Sequence, residues 1–242
     1  MSAQLEISNL HKRFGGLVAV KSVSFDLKPG EVVGLLGPNG SGKTTVMNMI
    51  SGALPCDGGS VRVGGKDVTA LKPHKVSKHG VARTFQLVRP LPTLTVGENV
   101  LLSVAYSRKP KWGRAAQAIV DEKLEFVGLA GRGDEKVTNL NYIDQKRMEM
   151  ARALAAEPEI LLLDEWLAGL NPSELRIGID LVQHLQGQGM TILLVEHIME
   201  AVRALCSRCI VMSAGEKIAE GPSAEVLQDP VVIKAYLGDD HA

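Results

Sequence analysis

The stretch Gly37-Pro38-Asn39-Gly40-Ser41-Gly42-Lys43-Thr44 fits the pattern G-x-x-x-x-G-K-[ST] and limits the possible folds more than any other part of the chain. A loop can cradle several phosphate charges only if many backbone N–H groups converge on one point, and glycines let the backbone fold that tightly. In this pattern Lys43 would reach the β- and γ-phosphates, and the Thr44 hydroxyl would sit on Mg²⁺. The apolar run Val32-Val33-Gly34-Leu35-Leu36 predicts a buried strand entering the loop. Thr45-Val46-Met47-Asn48-Met49-Ile50 predicts a helix leaving it, whose positive end adds to the anion site. A chain with this strand–loop–helix order is expected to bind a nucleotide.

The rest of the sequence suggests where that loop sits. Leu5-Glu6-Ile7, Val18-Ala19-Val20 and Val23-Ser24-Phe25-Asp26-Leu27 alternate polar and apolar positions, predicting antiparallel strands before a turn at Pro29-Gly30. A further hairpin is expected over residues 58–65. From about residue 87 to 157 the β-branched runs give way to helical spacing, over 115–127 and 144–156, which reads as an inserted helical lobe. Strand-like runs then return at Ile160-Leu161-Leu162-Leu163, Thr191-Ile192-Leu193-Leu194-Val195 and Cys209-Ile210-Val211-Met212, with a helix at about 173–187. Fully apolar strands alternating with helices predict a parallel sheet covered on both faces. The expected organisation is one α/β domain of 242 residues, with a core and β lobe from 1–86 and 158–242 and a helical lobe from 87–157.

Charge narrows the partners. Lys plus Arg and Asp plus Glu both number 27, so the zero net charge gives no support for nucleic-acid binding. No apolar run approaches the roughly 18–20 residues that span a bilayer, and the start of the chain lacks a basic-then-apolar signal segment. The chain is expected to be cytosolic, or held at a membrane only through partners. Cys56, Cys206 and Cys209 suit a reducing compartment, and Cys206-Ser207-Arg208-Cys209 lacks the two further ligands of a zinc site.

Two carboxylates, Asp164 and Glu165, close the buried strand at 160–163. Ligands of open α/β sheets bind at the carboxyl ends of strands. Asp164 is expected to hold Mg²⁺, and Glu165 to accept a proton from, or orient, an attacking water. His197 follows another core strand and is placed to donate a hydrogen bond to a γ-phosphate. Gln86 stands where the core gives way to the helical lobe; a neutral amide there can touch both Mg²⁺ and water.

Phosphate loop, Gln86, Asp164-Glu165, Ala168-Gly169-Leu170-Asn171 and His197 occur in that order, and together they resemble the ATP-binding subunit of an ABC transporter. Ala168-Gly169-Leu170-Asn171-Pro172, Val195-Glu196-His197 and the ending Ala235-Tyr236-Leu237-Gly238 resemble its branched-chain amino-acid importer branch. The resemblance implies a P-loop NTPase fold with a RecA-like core, an antiparallel β lobe and an inserted helical lobe. It implies ATP and Mg²⁺ as cofactors, with Phe14 stacking on adenine and Val20 and Thr45 joining the nucleotide contacts. It further implies integral-membrane permease subunits, a second ATP-binding subunit closing head to tail, and indirectly an extracytoplasmic solute-binding protein. The place would be the cytoplasmic face of the cell membrane. An exporter ATPase or a soluble ABC-type regulatory ATPase are the alternatives.

Two motifs depart from that family. Its signature, Leu-Ser-Gly-Gly-Gln or Leu-Ser-Tyr-Gly-Gln, is here Leu140-Asn141-Tyr142-Ile143-Asp144. In the family this segment starts a helix aimed at the γ-phosphate of the opposite subunit. Asn141 can still cap the helix. Ile143 is expected to block the close approach a glycine allows, and Asp144 to repel the anion by about 1–4 kcal/mol depending on screening. An asymmetric heterodimer, in which this chain completes a weak site for its partner, is the expectation. Trp166 stands where the family usually has proline.

Overall fold

The chain's first strands alternate as expected, but with interruptions in phase. In the computed structural model, which describes residues 4–85 and 87–237, β1 (Leu5–Phe14) pairs antiparallel with β2 (Leu17–Leu27), Leu5 opposite Leu27 and Phe14 opposite Leu17. Asn9 adopts a positive φ of 49°, and the register shifts between Ile7 and Leu10. The extra residue of such a bulge moves the buried positions from odd to even numbers: Leu5 and Ile7 face inward before it, and Leu10 after it. β4 (Gly58–Val63) and β5 (Lys66–Asp67) complete a four-stranded antiparallel sheet in the order β2-β1-β4-β5.

The second sheet has the order β10-β9-β3-β8-β7-β6. Its strands are β3 (Val32–Leu36), β6 (Val81–Arg83), β7 (Ile160–Asp164), β8 (Thr191–Val195), β9 (Arg208–Ser213) and β10 (Glu216–Pro222). β9, β3, β8, β7 and β6 run parallel, while β10 pairs antiparallel at the edge. Every residue of β3, β7 and β8 is buried, as a parallel sheet covered on both faces requires. Val33 and Leu35 join the core beneath the β lobe, whereas Val32 and Leu36 join the opposite core. Because β8 lies between β3 and β7, the carboxyl ends of all three strands converge.

The helices are α1 (Lys43–Ile50), α2 (Pro73–Lys78), α3 (Val96–Ala105), α4 (Gly113–Phe126), α5 (Tyr142–Ala155), α6 (Pro172–Gly187), α7 (Met199–Leu205), α8 (Ser223–Val226) and α9 (Pro230–Leu237). α4, α5 and α6 cover the predicted helical spans within a few residues. α3, β6 and β10 were not anticipated: β6 has three residues, and the apolar run of α3 carries no clear 3.6-residue period. α3, α4 and α5 pack through Val100, Val104, Ala116, Val120, Leu124 and Met148, all buried. Among the described residues, no helix is long and apolar enough to cross a membrane.

α6 starts at a full capping box: Asn171 accepts hydrogen bonds from the amides of Ser173 and Glu174, and Glu174 accepts one from the Asn171 amide. This cap fixes the turn between the site's carboxylates and α6. Asn171→Ala should lower unfolding free energy by about 1 kcal/mol, read from the denaturation midpoint at unchanged slope.

Candidate functional site

The glycine-rich loop joins β3 to α1 with backbone geometry that only glycine tolerates. At Gly37, with φ of 142°, an added Cβ would lie 2.0 Å from the Met212 carbonyl oxygen; at Gly42, with φ of 105°, it would lie 2.6 Å from that of Ala19. The loop is therefore pressed against β9 and β2, and its curvature leaves amides facing a cavity of about 700 Å³. Asn39, Gly40, Ser41, Gly42, Lys43, Thr44, Thr45 and Glu165 line this cavity on one side; Phe14, Val18, Ala19 and Lys21 line the other.

Lys43 is buried, and its ammonium donates to the carbonyl oxygens of Gly37 at 2.7 Å and Pro38 at 3.0 Å. Burial pulls its pKa down, while Glu165 and Asp164 oppose that pull. The loop's own carbonyls thus hold the charge that a phosphate would take over. Thr44 is exposed at the second position of α1. Phe14 is 48% exposed at the cavity wall, open to stack against a flat ring, with the Lys12 ammonium 5.6 Å from its centroid. Val20 is placed differently from expectation. It is fully buried and packs under Gly42, because strand alternation turns its neighbours toward the cavity instead.

The two carboxylates divide the space. Asp164 is buried and accepts a hydrogen bond from Arg83 at 2.6 Å; that guanidinium also binds Asn48 of α1 and Ser51 at its C-cap. Glu165 faces the cavity and meets the His197 imidazole, Oε1 to Nε2, at 2.8 Å. Its φ of 49° is unusual for a side-chain-bearing residue, and its amide donates to Val195 O at 2.8 Å. A backbone held in that region persists only where the surrounding structure over-determines it. Gln86 lies outside the described residues.

No cluster of three His, Cys, Asp or Glu side chains suited to a metal occurs among the described residues. Thr44 lines the cavity and Asp164 ends the adjacent strand β7, its Oδ2 held by Arg83; both are hard oxygen donors. That sparse set fits Mg²⁺, which keeps several waters and takes the remaining ligands from phosphates. Cys206 and Cys209 are buried thiols against Gly34, packing as small hydrophobes.

The altered signature differs from expectation in orientation. Asn141 does cap α5, accepting from the Asp144 amide at 2.9 Å. Ile143 and Asp144, however, are 6% and 7% exposed and turn inward. Asp144 pairs with Arg132 at 2.6 Å and Arg147 at 3.1 Å, so its charge is compensated within the lobe. The outward residues are Asn141 and Tyr142, whose ring packs on Gly169.

Sequence reasoning assigned no role to Tyr236. Its hydroxyl accepts a hydrogen bond from the Gly37 amide at 2.7 Å, tying α9 to the first residue of the phosphate loop. Its place in the recognised chain ending was the only available signal. Also missed were Glu149 and Glu196, buried carboxyls each pushed up to about 7, first by burial.

Comparison with known proteins agrees with this geometry. Residues 20–168 match the family model described as ABC transporter, and residues 216–242 match one described as branched-chain amino acid ATP-binding cassette transporter. The chain is 39% identical to the high-affinity branched-chain amino acid transport ATP-binding protein LivG of Salmonella typhimurium, over 97% of this chain and 98% of that one. It superposes on MJ1267, an ATP-binding cassette of an ABC transporter in its ADP conformation, with TM-score 0.89, 32% identity and 99% and 100% coverage of the two chains. The dimeric post-hydrolysis cassette MJ0796, bound to ADP and Pi, aligns with TM-score 0.79 and 27% identity over 90% of this chain and 98% of that one.

Two outcomes follow from these contacts. Between pH 4.5 and about 7 the folded chain keeps protons on Glu149 and Glu196 that the unfolded chain has released. Stability should therefore fall as pH rises through that window, by up to about 1.4 kcal/mol per pH unit and group. Denaturation midpoints should be higher at pH 6 than at pH 8, and Glu149→Gln should roughly halve the difference; a pH-independent midpoint would refute it. Tyr236→Phe removes the acceptor of the Gly37 amide and should weaken ATP binding about 2- to 10-fold by calorimetry, the worth of one neutral hydrogen bond. Unchanged affinity would reduce the phenol to packing.

Proposed function

This chain belongs to the ABC transporter family of ATP-binding proteins, and from that premise we propose that it is the energy-coupling ATPase of an importer for branched-chain amino acids or related small polar solutes. The observation that carries this reading is the convergence of Lys43, Thr44 and Glu165 on one cavity, with His197 bonded to Glu165 at its rim. ATP would lie with its adenine on Phe14 and its triphosphate along residues 37–45. Lys43 would exchange the Gly37 and Pro38 carbonyls for phosphate oxygens. Thr44, Asp164 and Gln86 would hold Mg²⁺, which when bound supplies positive charge against the phosphates. Glu165 would orient the attacking water or accept its proton, and His197 would donate a hydrogen bond to the γ-phosphate while steadying Glu165.

The core and β lobe (1–86 and 158–242) would carry the nucleotide, and the helical lobe (87–157) would pass its state to permease subunits docked near residues 86–99. The chain would sit peripherally on the cytoplasmic face of the membrane. An extracytoplasmic solute-binding protein would act on it only through the permeases. A second ATP-binding subunit would close head to tail over two ATP molecules. The replaced signature supports a heterodimer with unequal sites, since α5 would offer the partner's phosphate Asn141 and Tyr142 rather than a serine and glycines.

Glu165→Gln, assembled with the membrane partners, should keep ATP affinity and cut turnover by about 10²–10⁴, the usual worth of a positioned base. Counting hydrolysing sites per assembled complex should give one dominant site. Unchanged turnover would remove Glu165 from the role, and two equal sites would remove the asymmetry.

A further inference from the structure

The carboxylate of Glu196 is 1% exposed, one residue before His197. Glu196 Oε1 accepts the Leu167 amide at 2.7 Å and Oε2 the His197 amide at 3.3 Å. The turn that follows Glu165 and the loop that carries His197 are thereby clasped by one side chain. The Glu165–His197 hydrogen bond lies immediately above this clasp. Burial pushes the Glu196 carboxyl up to about 7; the Leu167 and His197 amides, and to a lesser degree Lys146 on α5, oppose that push, while Glu165 adds to it.

Lys146 is itself unusual. It is 0% exposed, and among the described residues its ammonium has no hydrogen-bond partner, lying instead 5.0 Å from the Tyr142 ring centroid. Its carbonyl accepts the indole N–H of Trp166 at 3.2 Å. Trp166 is fully buried, its ring packed toward Gly178 of α6. α5 is thus joined to the turn after β7 by the hydrogen bond through Trp166.

We propose that Glu196 is a positioning residue that, together with the Trp166–Lys146 hydrogen bond, couples the start of α5 to the Glu165–His197 pair. When α5 moves, the Lys146 carbonyl draws Trp166 and the neighbouring Leu167 with it, and Glu196, which grips both Leu167 and His197, passes that shift to the Glu165–His197 pair. Trp166 then has an assignment: it anchors the turn to the α5 backbone so that the two shift together. This inference rests on the ATPase reading, in which α5 faces the partner's nucleotide, and it supplies the internal link between the two sites.

The test uses the full chain assembled with its membrane partners. Trp112, 72% exposed and remote from the site, is replaced by Phe so that Trp166 is the sole tryptophan. In that parent, ATP with Mg²⁺ should change Trp166 emission. Glu196→Gln should abolish the change and lower kcat about 10- to 10²-fold, the effect of a slight misplacement of reacting groups, while ATP affinity stays within about 2-fold. Trp166→Phe, which removes the indole N–H, should lower kcat in the same direction and add little to Glu196→Gln in the double variant. Retained kcat with a retained emission change in Glu196→Gln overturns the proposal, as does a loss of affinity that matches the loss of kcat. Should Glu196→Gln not fold, Trp166→Phe decides alone, by kcat read against ATP affinity. A parent that binds no ATP would instead overturn the ATPase reading.

Discussion

The phosphate loop touches the backbone of two other strands, and most of the site's geometry follows from that contact. Gly37 lies so near the Met212 carbonyl, and Gly42 so near that of Ala19, that neither position has room for a Cβ. The loop is therefore shaped by the parallel sheet through β9 and by the antiparallel sheet through β2. With its curvature set from both sides, its amides are organised before any ligand arrives. The Tyr236 hydroxyl removes one remaining freedom by taking the Gly37 amide that the curve leaves unpaired. An anion site built this way keeps its donors fixed as charge develops, which is where preorganised dipoles are worth most.

Buried charge forms a second layer beneath this loop. Asp164 is held by Arg83, and Arg83 reaches α1 through Asn48 and Ser51, so the acid after β7 and the helix after the loop share one guanidinium. A buried ion pair adds little net stability, but removing one partner strands the other at several kcal/mol. The pair therefore acts as a register pin between β7 and α1 more than as a source of stability. Lys146, Glu149 and Glu196 extend the same logic into α5. Their carboxyls weaken the fold as pH rises, so a pure stability requirement would disfavour them. Their location between the helical lobe and the turn after Glu165 supplies a different reason.

Local chemistry made the phosphate loop, Asp164, Glu165 and His197 legible in the sequence, because each stands at the end of an apolar strand. The fully buried strands announced a covered parallel sheet without any knowledge of their order. Strand order, and so the meeting of Glu165 with His197, depends on long-range pairing that no local pattern encodes. Val20 was expected at the ligand through the family resemblance alone; alternation along β2 turns it inward and its neighbours Ala19 and Lys21 toward the cavity. Tyr236 stands 199 residues from the amide it binds. Glu196 and Lys146 look in sequence like ordinary polar residues beside a motif, and only their complete burial distinguishes them.

The signature segment shows how a residue's sign can mislead when its orientation is unknown. Asp144 in the first turn of α5 invites the inference that an approaching phosphate is repelled. Arg132 and Arg147 against Asp144 and Glu135 make the cluster neutral, and the Asp144 side chain is turned away from the surface. The partial positive charge of the helix start therefore survives, and Asn141 uses its oxygen on the Asp144 amide while the first amides of α5 stay available to an anion. What the segment lacks is the near approach of a glycine: Tyr142 covers Gly169, and Ile143 stiffens the turn behind it. Any weakness of the partner's site should accordingly arise from distance and shape rather than repulsion. A contact weakened by distance falls off without reversing, so the site would be slow rather than closed, and its speed would depend on how far α5 can advance.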